Sequence, residues 1–182
     1  MLTVYAIEKS EIYGHGQRVV IWFSGCSLNC AGCINEYMWE KSSGSSYSVE
    51  KLINSIQAFG RITGVTFIGG EPLQQGEEIV LLAKEILKCG LDIVLFTGYE
   101  ERELNEWQKQ VVNMSSVVIF GRYDAALHDT NLLLRGSRNQ QIVVYDEKLK
   151  EYYSQERRQV EIEITADADK FLGFPEDFVI MK

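Results

Sequence analysis

The sequence predicts an α/β fold in which about five to six mostly parallel strands alternate with outer helices. Two observations support this prediction. Short apolar runs that end in glycine alternate with segments whose apolar residues recur at helical spacing. The length of 182 residues suffices for one well-buried core and is too short for two ordinary domains, so we expect residues 1–182 to form a single domain.

The first elements are two strands and a helix. Residues 1–7 predict a strand, and residues 19–25 form a continuous apolar run, as in a strand that is buried on both faces. Ser48 is a suitable N-cap for an amphipathic helix, and Gly60 is a suitable end for it.

The next three elements predict a parallel crossover. Residues 64–70 and 92–98 predict strands, and the clearest helix of the chain lies between them at residues 77–88, with Gly90 at its end. Two apolar strands joined through a helix pair in parallel with a right-handed crossover.

The second half of the chain continues the alternation. Residues 100–113 predict a polar helix, residues 117–121 and 141–145 predict strands, and residues 160–165 alternate apolar and charged side chains, so one face of that strand should meet solvent. Periodicity does not decide whether the sheet is open and doubly wound or curved into part of a barrel. Both arrangements bind ligands at the carboxyl ends of the strands.

Three segments lack regular periodicity. We expect residues 41–47, which are rich in serine, to form a flexible loop, and residues 166–182 to form a C-terminal tail. Residues 123–140 are long for a loop in a compact domain, which indicates a functional segment that faces a substrate or partner.

Composition excludes several classes of function. The formal net charge of −8 and the lack of a Lys/Arg stripe argue against nucleic-acid binding. No apolar run is long enough to span a membrane. The N-terminus lacks the features of a signal peptide, so we expect a cytoplasmic protein.

Three of the four cysteines lie within eight residues, directly after the strand at 19–25. The thiolates of Cys26, Cys30 and Cys33 suit a [4Fe–4S] cluster whose fourth iron stays open. The alternative is a structural zinc site, which normally needs a fourth ligand, and neither His15 nor His128 has the required spacing. We expect Cys89, which stands alone, to be a buried small residue.

The cysteine spacing Cys-x3-Cys-x2-Cys resembles that of the radical S-adenosylmethionine superfamily. Residues 66–72 (TFIGGEP) resemble its GGE motif after the second strand of a partial (βα) barrel. The resemblance implies that the [4Fe–4S] cluster binds S-adenosylmethionine, with Gly69, Gly70 and Glu71 near its methionyl amino group.

Further segments resemble the glycyl-radical-enzyme activating proteins, and in particular the activating proteins of anaerobic ribonucleotide reductase. They are residues 14–18 (GHGQR), 33–35 (CIN), 96–99 (FTGY) and 135–140 (RGSRNQ). The resemblance covers roughly residues 12–142, and it implies that Thr97 also contributes to the S-adenosylmethionine site.

The chain departs from that group at one position. Where the group has Asp-Gly-Lys/Arg-Phe after the fourth strand, this chain has Phe120-Gly-Arg122-Tyr123. Arg122 remains a candidate for a bidentate contact to the methionyl carboxylate. The lost aspartate leaves the hydrogen-donor substrate less certain than the core chemistry.

The resemblance implies an oxidoreductase that cleaves S-adenosylmethionine reductively and generates a glycyl radical on a large partner enzyme, anaerobic ribonucleotide reductase. A separate low-potential electron donor, such as flavodoxin or ferredoxin, is expected, because the chain has no second cysteine cluster. Two alternatives stay open: a radical enzyme acting on a small molecule, nucleotide or peptide, which Phe120 favours, and a non-catalytic metal-binding module.

Overall fold

The computed structural model describes residues 1–155, 160–164 and 169–173. Seven strands form one mixed sheet in the order β3-β1-β2-β4-β5-β6-β7, and two further strands, β8 and β9, pair with each other in a separate antiparallel sheet. The strands are β1 Leu2–Ser10, β2 Arg18–Phe23, β3 Ser45–Tyr47, β4 Gly64–Gly69, β5 Asp92–Thr97, β6 Val117–Phe120, β7 Gln141–Val144, β8 Val160–Ile164 and β9 Asp169–Gly173.

The centre of the seven-stranded sheet is parallel and its edges are antiparallel. Strands β2, β4, β5 and β6 run in the same direction, as the strand–helix alternation predicts. Strand β1 is antiparallel to β2, β3 is antiparallel to β1, and β7 is antiparallel to β6. The α/β class is therefore confirmed. The sheet has seven strands instead of the five to six predicted, because the prediction missed β3. Its edge strands pair in antiparallel fashion, because no crossover helix connects them to their neighbours in the sheet.

The sheet divides the apolar side chains between two faces. Neighbours in the parallel register, Ile21, Phe67, Leu95 and Val118, lie on one face and pack in the main core with the helices. Their burial contributes roughly 1.5–3 kcal/mol for each side chain. The residues between them, which include Trp22, Ile68, Phe96 and Ile119, lie on the opposite face, where the main core does not extend.

The helices begin and end largely where local chemistry predicts. They are α1 Val49–Ala58, α2 Glu78–Lys88, α3 Glu106–Asn113 and the short α4 Lys150–Tyr153. The Ser48 hydroxyl accepts a hydrogen bond from the backbone N–H of Lys51 and so caps α1, as predicted. Gly60 and Gly90 follow α1 and α2 with φ angles of 73° and 74°, which glycine adopts without strain.

Residues 100–113 do not form the single helix that their pattern predicts. A short 3₁₀ turn covers Glu101–Glu103, Leu104 is extended, and α3 begins only after Asn105. The Asn105 side chain accepts from the backbone N–H of Gln108, and the Gln108 side chain accepts from that of Asn105. This capping box outweighs the continuous helical periodicity and restarts the helix.

The serine-rich segment 41–47 is not the flexible loop that we expected. It contains a 3₁₀ turn at Lys41–Ser43 and strand β3, which pairs with β1. A Cβ on Gly44 would lie 2.8 Å from the carbonyl oxygen of Val4, so glycine permits this close approach to the edge of the sheet. The short polar strand gives little periodic signal because it contains only three residues.

The expectation for Cys89 was also wrong. Cys89 follows the last residue of α2 as its C-cap and is exposed, not buried. Helical periodicity favoured burial, but the side chain lies at the helix end, where the core no longer covers it. Among the described residues, no helix is both long and apolar enough to cross a bilayer.

Candidate iron–sulfur site

The cysteine loop begins where β2 ends. The backbone N–H groups of Gly25 and Cys26 donate to the carbonyl oxygens of Met38 and Trp39, at 2.8 and 2.9 Å, which closes the loop on itself. Inside it, Asn29 and Gly32 adopt φ angles of 50° and 74°. These two left-handed residues turn the chain between the cysteines, so the three thiols share one compact loop.

The three thiols are free and partly buried. Burial raises the pKa of Cys26 to about 11, although the backbone N–H of Leu28 donates to its sulfur and opposes the rise. Burial likewise raises the pKa of Cys30, whose sulfur accepts from the backbone N–H of Tyr123. Without a bound cation these two thiols stay protonated at neutral pH, and metal binding would release their protons.

The two glycines of the GGE motif lie directly against the cysteine loop. The backbone N–H of Gly70 donates to the carbonyl oxygen of Phe23 at 2.7 Å, and that of Glu71 donates to the carbonyl oxygen of Gly25 at 2.9 Å. A Cβ on Gly69 would lie 2.6 Å from the backbone of Phe23, and one on Gly70 would lie 2.7 Å from the carbonyl oxygen of Gly25. The end of β4 can therefore approach the cysteine loop only as glycine.

Glu71 holds the end of β5 against this loop. It is 1% exposed, and its Oε1 accepts from the backbone N–H of Leu73 and from the Thr97 hydroxyl, while its Oε2 accepts from the backbone N–H of Gly98. Burial raises the pKa of Glu71 to about 7, and these hydrogen bonds limit the rise. Two residues predicted to bind S-adenosylmethionine, Glu71 and Thr97, thus bind each other in this structure.

Arg122 lies at the rim of the site. Its guanidinium donates both terminal nitrogens to the Glu103 carboxylate, at 2.8 and 2.9 Å, and stands over the Tyr99 ring. Hydrogen bonds from Arg122 lower the pKa of Glu103 to about 2. The bidentate contact that the sequence suggested for a ligand carboxylate is therefore made here with a side chain of the chain itself.

Phe120, the departure from the family pattern, points away from the site. It is buried in the main core, on the helix-bearing face of the sheet. Phe120 therefore contributes an apolar side chain to that core, whereas Ile119 lines the cavity beside the cysteines.

A cavity of about 120 Å³ collects seven of the eight predicted site residues. Its wall contains the three cysteines, Gly69, Gly70, Glu71 and Thr97, and Arg122 is not part of it. A larger cavity of about 680 Å³ adjoins it on the sheet face opposite the main core, and both are lined by Cys33, Phe96 and Tyr123. Ligands of very different size could thus meet next to the cysteines.

The donor set fits a cubane cluster. A structural zinc site normally takes four Cys or His ligands, whereas a cubane with an open fourth iron takes three thiolates, each on a different iron. The cysteine loop supplies three free thiols. The sulfur ligands, the loop and the adjacent space therefore suit a [4Fe–4S] cluster held by Cys26, Cys30 and Cys33.

Sequence reasoning missed the residue that fastens the cysteine loop to the GGE segment. Gln74 accepts from the backbone N–H of Ser27 and donates to the Ser27 and Tyr99 hydroxyls, each at 2.9 Å. The only signal in the sequence is a polar side chain immediately after an apolar turn.

The segment 14–18 contributes to the opposite end of the parallel strands. Arg18 is fully buried and donates to Thr66 and Asp92, and the His15 ring lies between Asp92 and the Tyr153 hydroxyl, at 3.0 and 2.8 Å. The likeness of this segment to activating proteins therefore concerns the support of the sheet and not the cysteine site.

Comparison with known proteins agrees with this site. Residues 12–143 match the family model described as "4Fe-4S single cluster domain". The chain is 35% identical to the anaerobic ribonucleoside-triphosphate reductase-activating protein of Escherichia coli K12, over 71% of this chain and 89% of the relative. Its identity is 38% with the Salmonella typhi protein of that name, over 71% and 89%, and 34% with that of Enterobacteria phage T4, over 72% and 86%.

Among solved structures, QueE from Escherichia coli aligns with a TM-score of 0.49 at 16% identity, over 63% of this chain and 68% of that chain. This likeness is too distant to bear on the assignment. The family model spans the whole cysteine site, and the curated relatives are covered almost entirely. The chain therefore belongs to the 4Fe-4S single cluster domain family and is a member of the family of anaerobic ribonucleoside-triphosphate reductase-activating proteins.

Proposed function

We propose that this chain is a radical S-adenosylmethionine enzyme that generates a glycyl radical on anaerobic ribonucleotide reductase. The observation that carries the proposal is the placement of three free thiols and the ends of β4 and β5 around one small cavity that adjoins a larger one. When bound, the [4Fe–4S] cluster and S-adenosylmethionine supply a 5′-deoxyadenosyl radical, and the protein supplies binding, orientation and exclusion of water.

In this proposal the residues of the small cavity have different roles. Cys26, Cys30 and Cys33 would hold the cluster through their three thiolates, which leaves one iron without a protein ligand for S-adenosylmethionine. The strand ends at Gly69 and Gly70 give the methionyl group access to backbone atoms. Glu71 keeps the ends of β4 and β5 together through its hydrogen bonds with Thr97 and Gly98, and its bond with Leu73 fixes its own turn, so that together they set the shape of this pocket.

Arg122 contributes through an exchange of partners in this proposal. Its guanidinium is already aligned for bidentate binding by Glu103, at the rim next to the cysteine loop. A methionyl carboxylate has the same planar geometry and would compete with Glu103 for it.

The larger cavity suits a peptide loop of a partner. Apolar and aromatic side chains dominate its wall. We propose, from the family resemblance, that the sheet curves around this cavity as a partial (βα) barrel. In the described residues the edge strands β3 and β7 do not pair with each other, so one side stays open. A glycine loop of the reductase would enter there, and a low-potential donor such as flavodoxin or ferredoxin would reduce the cluster in the cytoplasm.

Direct action on a small molecule gains no support from the structure of this site. The sequence feature that favoured it, Phe120, lies in the helix-side core and leaves the wall of both cavities unchanged.

Anaerobic reconstitution with iron and sulfide tests the proposal. With dithionite and S-adenosylmethionine, the protein should form 5′-deoxyadenosine, and added anaerobic ribonucleotide reductase should acquire a glycyl radical that electron paramagnetic resonance detects. Cys30→Ala should abolish both signals, whereas Cys89→Ala should keep both, because Cys89 lies outside the loop. Bound zinc without 5′-deoxyadenosine would refute the radical chemistry, and 5′-deoxyadenosine without a glycyl radical would refute the partner.

A further inference from the structure

The segment Arg135–Gln140 organises the backbone that lies next to the cysteine site, and the proposed function gives it no role. Its side chains bind the chain at 121–124 at three points. Gln140 Nε2 donates to the carbonyl oxygen of Gly121 at 2.9 Å, and Asn139 Nδ2 donates to that of Arg122 at 2.8 Å. The Ser137 hydroxyl accepts from the backbone N–H of Asp124 at 3.1 Å.

The segment is itself held rigid by Gln140. Gln140 Oε1 accepts from the backbone N–H groups of Gly136 and Ser137, at 2.8 and 3.2 Å. Ser137 is fully buried, and the backbone N–H of Gln140 donates to its carbonyl oxygen. The amide oxygen of Gln140 therefore stabilises its own loop, and its amide nitrogen binds the segment 121–124.

The fastened segment forms a wall of the site. Gly121, Tyr123 and Gln140 line the cavity that contains the three cysteines. The three bonds use backbone groups of residues 121, 122 and 124 and leave the N–H of Tyr123 pointing to the Cys30 sulfur. Hydrogen bonds to cluster sulfurs are among the features that set the reduction potential of an iron–sulfur site.

We infer that Ser137, Asn139 and Gln140 are positioning residues, which hold the Tyr123 N–H against Cys30 and thereby tune the reduction potential of the cluster. This inference rests on the proposed function, because it requires a [4Fe–4S] cluster on the cysteines. A donor N–H stabilises the extra negative charge of the reduced cluster. Loss of the hydrogen bond should therefore move the potential to more negative values and make reduction harder.

The test uses two variants that break different points. Gln140→Glu keeps the oxygen that accepts from Gly136 and Ser137 but loses the donor to Gly121, so the loop keeps its internal bonds while its link to the wall is lost. Asn139→Ala removes the link to Arg122 at an exposed position, where the fold tolerates truncation. Asn131→Ala is the matched control, since the hydrogen bonds of Asn131 within the described part of the chain go to Asp129 of the same loop.

Two measurements give the outcome. Redox titration of the reconstituted protein should show a more negative potential in Asn139→Ala, which adds no charge, and a drop of about tenfold in 5′-deoxyadenosine formation at a fixed reductant potential. Gln140→Glu adds a negative charge to the cavity wall, so exchange and not potential is the measurement for that variant. Hydrogen–deuterium exchange of the cluster-free protein should show faster exchange at residues 121–124 in both variants. Asn131→Ala should match the wild type in both measurements.

Unchanged potential in Asn139→Ala together with unchanged exchange in both variants would overturn the inference, while the cubane of the wild type upholds the proposed function. A wild type that binds no cubane would overturn the proposed function, and the inference with it.

Discussion

At the scale of single residues, the site depends on the absence of a Cβ atom at Gly69 and Gly70. The resemblance implied that Gly69 and Gly70 lie near the methionyl amino group of S-adenosylmethionine. The structure gives a further reason for glycine at both positions, because the backbone of β2 and of the cysteine loop already occupies the space where each Cβ would lie. A ligand-free protein therefore needs both glycines in order to fold this corner correctly.

Gly69→Ala should destabilise the protein more than Gly60→Ala. Both glycines have positive φ angles, 112° and 73°, so both substitutions introduce backbone strain, which is about 1–2 kcal/mol for the left-handed conformation of Gly60. Only at Gly69 does the new Cβ meet backbone atoms, whereas at Gly60 it meets open space. Urea unfolding of the cluster-free variants measures the difference. Equal losses would contradict the role of close backbone packing at the end of β4.

Glu71 predicts a dependence of stability on pH. Its pKa of about 7 in the folded protein lies above its ordinary value of 4.5, so between these pH values the folded state binds more protons than the unfolded state. The contribution of this group to the free energy of unfolding is therefore complete below pH 4.5 and is lost as pH rises through 7.

Glu71→Gln should remove this dependence and destabilise the protein at low pH by about 1–3 kcal/mol, because the amide NH₂ would face the N–H of Gly98. Urea unfolding of cluster-free protein at pH 5 and pH 8 checks both effects. Glu106→Gln, at an exposed position on α3, is the control and should retain the wild-type slope. A Glu71→Gln variant with that same slope would show that another group titrates.

At the scale of elements, the sequence predicted the parts whose signal is local and missed the parts whose signal is tertiary. The cap at Ser48 and the glycine after α2 depend only on residues adjacent in the sequence, so the bounds of α1 and α2 were predicted to within about two residues. Strand β3 forms because it pairs with the edge of β1, and its three residues carry no periodic pattern from which a strand could be predicted. Similarly, six site residues follow from the cysteine and GGE motifs and Thr97 follows from the segment 96–99, whereas Gln74 and Gln140 act through backbone groups far away in the sequence.

A buried ion pair joins β2 to β5 at the end of the sheet opposite the cysteines. Arg18 is 0% exposed and donates to Asp92 Oδ1 at 2.6 Å. Asp92→Asn should destabilise the protein by about 3–5 kcal/mol, because a fully buried guanidinium loses its countercharge. Denaturant unfolding measures the loss. Glu85→Gln, which breaks an exposed pair with Lys88, should cost less than about 1 kcal/mol and serves as the control.

The position of this ion pair also predicts what stays unchanged. The pair lies at the start of the strands and the cysteine loop lies at their ends, so Asp92→Asn protein that remains folded should bind as much iron as the wild type. A loss of iron at full helical content would contradict this separation of support and chemistry.

At the scale of the whole molecule, the sheet separates the main core from the large cavity. One face carries the helices and the main core, and the other carries the large cavity. This division explains why Phe120 changes the core without changing the cavity. The sequence predicted both the parallel centre and the motif-bearing strand ends, but it could not place a particular side chain on either face without the register.

The mouth of the large cavity carries the clearest exposed aromatic pair. Tyr5 and Tyr37 contact each other edge to face with ring centroids 5.3 Å apart, and both are about half exposed. Ile34, 58% exposed, follows Cys33 directly and lies beside the same cavity. Exposed aromatic side chains of this kind contribute strongly to protein interfaces, so the proposed reductase loop should pack against them as it enters.

Tyr37→Ala should therefore raise the KM for the reductase by about tenfold, which corresponds to about 1.4 kcal/mol of lost binding, with kcat nearly unchanged. Glycyl-radical formation at varied reductase concentration measures both constants, and iron content confirms that the cluster is intact. Tyr145→Ala is the matched control, because Tyr145 is a similarly exposed tyrosine that does not line the cavity. A drop in kcat at constant KM would instead give Tyr37 a role inside the site, and equal behaviour of both variants would move the docking surface away from this mouth.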